Sequence, residues 1–247
     1  MKHTKLLKGS KMEVFEISKL EKIISSMWDE ILKNSDFIQI VLDGKATKEL
    51  YAIYMIETYH YTKHNARNQA LVGAVANNIS GKYQAYCFDH AHEEAGHELM
   101  ALSDIGSIGF DKHKVLGLKP LAATETLIAY LYWISITGNP VQRLGYSFWA
   151  ESVYQYINPV LTSLKETLDL KDKDMKFFVA HSTIDAKHAE EVNEMLEHAC
   201  TTEDDVSSVI SVMENSLKLT ARILDDVYEE YQKYISGTSN RYEFLRK

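Results

Sequence analysis

Leu20, Ile23, Ile24, Met27, Ile31 and Leu32 recur at intervals of three and four, the period of a helix with one buried face. The spacing predicts a helix over 17–32, ended by Asn34 and Ser35. A short apolar piece over 37–42 follows, closed by Asp43 and Gly44, and then a long helical run from Thr47 to Asn78 with no Pro and no Gly before Gly73. Ser80 and Gly81 punctuate, and 83–108 reads as one helix carrying His90, His92, Glu93, Glu94 and His97. Gly106, Gly109 and Gly117 mark a loop. Pro120 suits the first turn of an apolar helix over 121–136, which stops at Gly138, Asn139 and Pro140. From Pro140 the pattern runs to about Leu168, with a kink or break expected at Pro159. Helices over 172–199 and 202–235 complete the chain. The last opens on Thr202, Glu203, Asp204 and Asp205, a capping-type start, and its stripe from Val206 through Met213, Leu217 and Leu224 to Tyr234 is expected to pack as core.

The sum is an all-α bundle of about seven helices, with no fixed-period repeat and no low-complexity segment. Eleven Gly and three Pro in 247 residues leave little turn chemistry for an all-β fold, and no stretch is rich enough in Pro, Gly and Ser to divide two domains. Residues 1–247 therefore read as one domain with a tail at about 1–12, and a chain of this length buries roughly 70–75% of its unfolded surface. A net charge of −8 spread along the chain argues against nucleic acid or an anionic membrane as partner. The lysine-bearing start has no apolar run behind it, nothing later resembles a membrane span, and a cytoplasmic protein is expected. Cys87 and Cys200, without CxxC spacing, read as two reduced buried thiols.

Candidate chemistry changes the picture. His181, Asp185 and His188 lie four and three residues apart, so their side chains share one helical face. Glu94 and His97 have the Glu-x-x-His spacing with which carboxylate-bridged bundles turn one oxygen and one nitrogen ligand inward, although Glu93 at four residues from His97 is equally well aligned. Glu151 stands among Phe148, Trp149, Val153 and Tyr154, where an unpaired carboxylate costs several kcal/mol, so it wants a cation. Glu57 is similar, with His60 and His64 on its own face as competing partners. Three or four Glu, one Asp and three His, without thiolate, make a mixed nitrogen and oxygen set that suits iron or manganese better than zinc or magnesium. Two irons sharing carboxylates need about this many donors, and the chemistry implied is activation of dioxygen.

The run His90-Ala-His-Glu-Glu-Ala-Gly-His-Glu-Leu-Met, then Asp104-Ile-Gly-Ser-Ile-Gly, then Gly145-Tyr-Ser-Phe-Trp-Ala-Glu, then His181-x-x-x-Asp185-x-x-His188 resembles the heme-oxygenase-like di-iron oxidases and oxygenases, the iron-containing redox enzymes. The resemblance spans about Glu57 to His188. It implies a seven-helix heme-oxygenase-like bundle, often a homodimer. It also implies a non-heme centre of two irons, with manganese possible, on Glu57, Glu94, His97, Glu151, His181, Asp185 and His188. The implied partners are O2 and a small organic substrate: a carboxylic or amino acid, a fatty acid or an aminobenzoate-like molecule. Tyr61, one turn beyond Glu57, and Tyr154, near Glu151, are the candidate catalytic residues, and Lys63, Arg67 and Lys187 neighbour the ligand helices.

Four other readings compete. True heme oxygenase needs an axial His near the start of the fold, and only His3 precedes His60. A thiaminase-II-like (TenA-like) hydrolase of this fold depends on a thiol, and neither cysteine neighbours the His181 face in sequence. A cofactor-free, quinone-cofactor-forming (PqqC-like) oxidase leaves the carboxylates surplus. A non-catalytic helical interaction protein would use the stripe of 206–234 as its partner surface.

Overall fold

The computed structural model describes residues 17–246, the side chains of Asn77 and of 183–186 excepted, and all its regular elements are helical. The expected tail at 1–12 and His3 lie outside the described residues. In order, the helices are α1 (Ile17–Asn34), α2 (Asp36–Leu42), α3 (Lys48–Thr62), α4 (Asn65–Val75), α5 (Gly81–Glu93), α6 (Glu98–Ser107) and α7 (Lys112–Val115), followed by α8 (Ala122–Ile136), α9 (Leu144–Ser152), α10 (Tyr154–Thr167), α11 (Lys176–Ala199) and α12 (Glu203–Ile235). They exceed the seven helices of the sequence pattern because the short apolar piece over 37–42 is itself a helix, α7 lies in the expected loop, and three of the longer runs are interrupted. The run over 47–78 breaks at Lys63 and His64, where no Gly or Pro warns of it, and the His64 imidazole Nδ1 lies 2.9 Å from the Tyr132 hydroxyl. The run over 83–108 breaks at 94–97, with Gly96 at φ +96°, a conformation that a β-carbon disfavours. In the run after Pro140 the break falls at Val153, while Pro159 lies inside α10. Pro120 stays outside α8, whose N-cap is Leu121.

α12 is the spine. Its 33 residues extend about 50 Å at 1.5 Å per residue. The helix starts at a Thr202–Asp205 capping box and packs against α1, α2, α3, α8 and α9. Met213, Leu217, Leu224, Val227, Tyr231 and Tyr234 are all buried, so the stripe is core rather than a free partner surface.

α9 crosses α12 at Gly145, where a β-carbon would overlap the Val209 carbonyl oxygen and the Met213 amide nitrogen. One turn on, the Trp149 indole Nε1 donates to Ser216 Oγ at 2.9 Å. α11 is held at its start by α6: the fully buried Asp104 accepts from the amides of Lys176 (2.8 Å) and Phe177 (3.0 Å), which would otherwise be orphan donors of a first helical turn. These anchors set the two helices that carry Glu151, His181 and His188. Gly145→Ala should therefore cost about 1–3 kcal/mol, because the clash is with backbone that no rotamer change relieves. Gly81→Ala, which meets open space in the first turn of α5, should be neutral or slightly stabilising. Paired denaturant titrations check both.

Candidate metal centre

Three helices and one turn bring the chemistry together. α5 supplies His90, the turn after it supplies Glu94 and His97, α9 supplies Glu151, and α11 supplies His181 and His188. Glu94 ends α5 and His97 precedes α6, so the pair sits on a break rather than on one helix. The break also separates the two neighbouring glutamates. Glu94 turns inward and is buried, while Glu93 is exposed and pairs with Lys187 at 3.0 Å.

Two groups of donors form, each with its ligand atoms within 4.8 Å of one another: His90, Glu94 and His188 in one, Glu94, His97 and His181 in the other. Glu94 belongs to both. The His97 imidazole Nδ1 lies 3.2 Å from Glu94 Oε1 and 3.1 Å from His181 Nε2. Glu151 completes the first group, with Oε1 3.3 Å from His90 Nε2 and Oε2 3.3 Å from His188 Nδ1. The His90 ring is buried, and apart from the Glu151 contact at Nε2 its nitrogens have no partner.

The charges are strongly coupled. Burial by itself would raise the Glu151 carboxyl, but the imidazoles of His188 and His90 hold it at about 2. For His188 burial works downward, yet Glu151 and Glu93 together push it up to about 9. Burial by itself would raise Glu94, but the bond to His97 together with the charges of His90 and His97 lowers it, and that same bond raises His97. His181 is lowered by burial.

Six of the expected or newly visible donors thus meet: His90, Glu94, His97, Glu151, His181 and His188. The side chain of Asp185 lies outside the described residues. Glu57 is elsewhere. Its Oε2 accepts from the Leu121 amide at 2.9 Å, at the start of α8, and burial pushes the carboxyl up against the partial offset of Thr124 and Leu121. Its long helix ends at Thr62, and its carboxylate serves the helix junction. His90 was the residue missed, although its four-residue spacing to Glu94 on α5 is a helical-face signal of the same kind as Glu-x-x-His.

A cavity of about 140 Å³ adjoins the cluster, with Glu94, Glu151 and His181 in its wall. The remaining wall is largely apolar and aromatic, including Trp28, Phe37, Tyr146, Trp149, Leu161 and Leu224, and both Tyr61 and Tyr154 line it. None of the described lining residues is Lys or Arg. Lys63 lies over the Tyr59 ring instead, and Lys187 is taken by Glu93 and Glu191. Cys87 and Cys200 are free and buried, burial raises both thiols to about 12, and neither lines the cavity.

The family model for iron-containing redox enzymes matches residues 52–221, a span that contains all six gathered donors. The chain belongs to the iron-containing redox enzyme family. This member is similar to a crystal structure of a domain of unknown function with a heme oxygenase-like fold from Shewanella denitrificans OS217, at 70% identity and a TM-score of 0.91 over 93% of this chain and 99% of that one. Two distant neighbours share the fold. A TenA homologue from Pseudomonas syringae pv. tomato DC3000 has 13% identity and a TM-score of 0.70, over 92% of this chain and 100% of that one. A CADD-like protein of unknown function from Nostoc punctiforme PCC 73102 has 12% identity and a TM-score of 0.62, over 86% and 97%. No curated protein matches. As an iron-containing redox enzyme with a heme oxygenase-like fold it agrees with the fold expected from the sequence, and no helix among its described residues is long and apolar enough to cross a membrane.

The pH dependence of metal uptake follows from the charges. His188, raised in the folded metal-free protein, contributes stability that is full below its ordinary value near 6.5 and lost as pH rises through about 9. A metal must displace that proton, so apparent affinity should rise from pH 6.5 to 9, with proton release at pH 7. Calorimetry with Mn(II) in buffers of different ionisation enthalpy measures the release; none at pH 7 would contradict the His188 assignment.

Proposed function

We propose that this protein is a non-heme di-iron oxidase or oxygenase that uses O2 to oxidise a small, mainly apolar organic molecule. The observation that carries this reading is the shared buried carboxylate: Glu94 belongs to two donor groups at once, the arrangement expected of a carboxylate between two metals. The donor set fits iron. It combines imidazole and carboxylate without thiolate, and the buried His90 ring, whose Nδ1 has no hydrogen-bond partner and whose Nε2 meets only the Glu151 carboxylate, is a polar group that a cation would satisfy. His90, Glu151 and His188 would hold one iron, His97 and His181 the other, with Asp185 joining them and Glu94 between. Iron, when bound, supplies the coordination positions and electrons through which dioxygen is activated.

The chain's own residues would do the rest. Trp28, Phe37, Leu161 and Leu224 line a dry wall beside the centre, which excludes water and favours an apolar body. With no Lys or Arg among the described lining residues, an acidic substrate finds its counter-charge at the centre. Tyr61 and Tyr154 are partly buried, line the same cavity and are the catalytic candidates, since a phenol in an apolar wall can donate a hydrogen bond to a polar substrate atom.

Anaerobic protein loaded with ferrous iron should bind two equivalents and consume O2 on mixing. His181→Ala, His90→Ala or Glu151→Gln should each lower iron stoichiometry while leaving helicity nearly intact, since the apolar stripes remain. Glu57→Ala should keep full iron stoichiometry and lose only stability, by about 1–3 kcal/mol for the Leu121 amide left without its acceptor. Iron analysis with far-ultraviolet dichroism checks all four, and a parent protein that takes up no iron would refute the reading.

A further inference from the structure

Glu93 stands outside the donor set just described, and its contacts give it a separate task. Its Oε2 lies 2.8 Å from Nε2 of His188, while the other ring nitrogen, Nδ1, lies 3.3 Å from Glu151 inside the cluster. One imidazole therefore spans the boundary of the centre, with one nitrogen facing the buried donors and the other a half-exposed carboxylate. Glu93 Oε1 is fixed in turn by Lys187 at 3.0 Å, and Lys187 also reaches Glu191 at 3.2 Å. The second helix-borne histidine shows the same division with a different outer partner: His181 Nδ1 lies 2.6 Å from the Phe177 carbonyl and so donates to it, leaving Nε2 toward His97.

We infer that Glu93 is a positioning residue for metal, one that holds His188 with Nε2 protonated and Nδ1 turned to the centre, without itself binding the ion. This rests on the metal reading proposed above. A histidine that binds a metal through one nitrogen ordinarily donates its other N–H to a carboxylate, carbonyl or water, which fixes the tautomer and raises the ring's basicity. A carboxylate does this more strongly than a carbonyl. The two halves of the centre are consequently unequal: the half containing His188 is backed by the charge of Glu93, and the half containing His181 by a neutral backbone carbonyl. The His188 half should hold its metal more tightly.

The rival arrangement is a surface site made by Glu93, the outer nitrogen of His188 and Glu191, whose donor atoms also lie within 4.8 Å of one another. That site would place the metal on Nε2 of His188. Nitrogen-15 correlation spectra of the Zn(II)-loaded protein, labelled at histidine, separate the two, because the metal-bearing and protonated nitrogens of one ring resonate differently. The expected result is metal on Nδ1 and hydrogen on Nε2 of His188; metal on Nε2 overturns the inference.

Anaerobic Fe(II) titration of the parent, Glu93→Ala and Glu93→Gln supplies the second readout. In Glu93→Ala one of two binding steps should weaken by about 10–100-fold and the other stay unchanged. Glu93→Gln should recover part of the loss, since its amide oxygen still accepts from Nε2–H without the charge. Melting of metal-free Glu93→Ala at or near the parent temperature would exclude a general loss of fold, as Glu93 is exposed. Both steps unchanged in Glu93→Ala would make Glu93 a surface ion-pair partner only and overturn the inference while leaving the metal reading standing. A parent that binds no metal would overturn the metal reading and this inference together.

Discussion

Burying two carboxylates beside four imidazoles is the constraint on which the structure turns. Glu94 and Glu151 are both taken largely out of water, and like charges in a low-dielectric place repel unless positive charge lies among them. In the metal-free protein the positive charge comes from protons: His188 is pushed up to about 9 and His97 is raised as well. A cation at the centre would replace those protons.

That holding is done by close helix contact rather than by the ligands themselves. α9 reaches α12 only because residue 145 has no side chain, and the Trp149–Ser216 bond fixes the rotation that turns Glu151 inward. α11 is tied at its first turn by Asp104 of α6, and the helix breaks at 94–97, with Gly96 at φ +96°, so that Glu94 and His97 both face the cluster. The cavity beside the centre follows from the same packing. It lies where α9, α10 and α11 approach the aromatic residues of α1 and α2, and its apolar wall gives a bound molecule few polar contacts other than the centre and its tyrosines.

Much of this was legible in the sequence. The apolar patterns marked helices at α1, α8, α11 and α12 with bounds close to those observed, because hydrophobic period is a local property of the chain. The His181 and His188 spacing, the Glu94 and His97 pair and the apolar company of Glu151 named α11, the turn after α5 and α9, three of the four pieces that meet. Helix breaks were less legible. Val153, Lys63 and His64 carry no breaker, whereas Gly96 did signal a turn that the apolar period on both sides concealed.

The sequence by itself determined the all-α class and most of the candidate donors, spread over three stretches of chain, since residue type and helical spacing are enough for these. Only the tertiary structure decided between neighbours of equal spacing. Glu93 and Glu94 lie four and three residues before His97, so both align with it on a continuous helix, and the break after α5 sends one to Lys187 and the other to His97. Glu57 looked like a ligand because it is an acid in an apolar helix, but the start of α8 lies against it and its amide takes the carboxylate first. His90 became a donor because α9 brings Glu151 to it from 61 positions away in the chain. Such choices depend on which helix packs against which, and side-chain pairing at that distance is set by the whole core rather than by any local pattern.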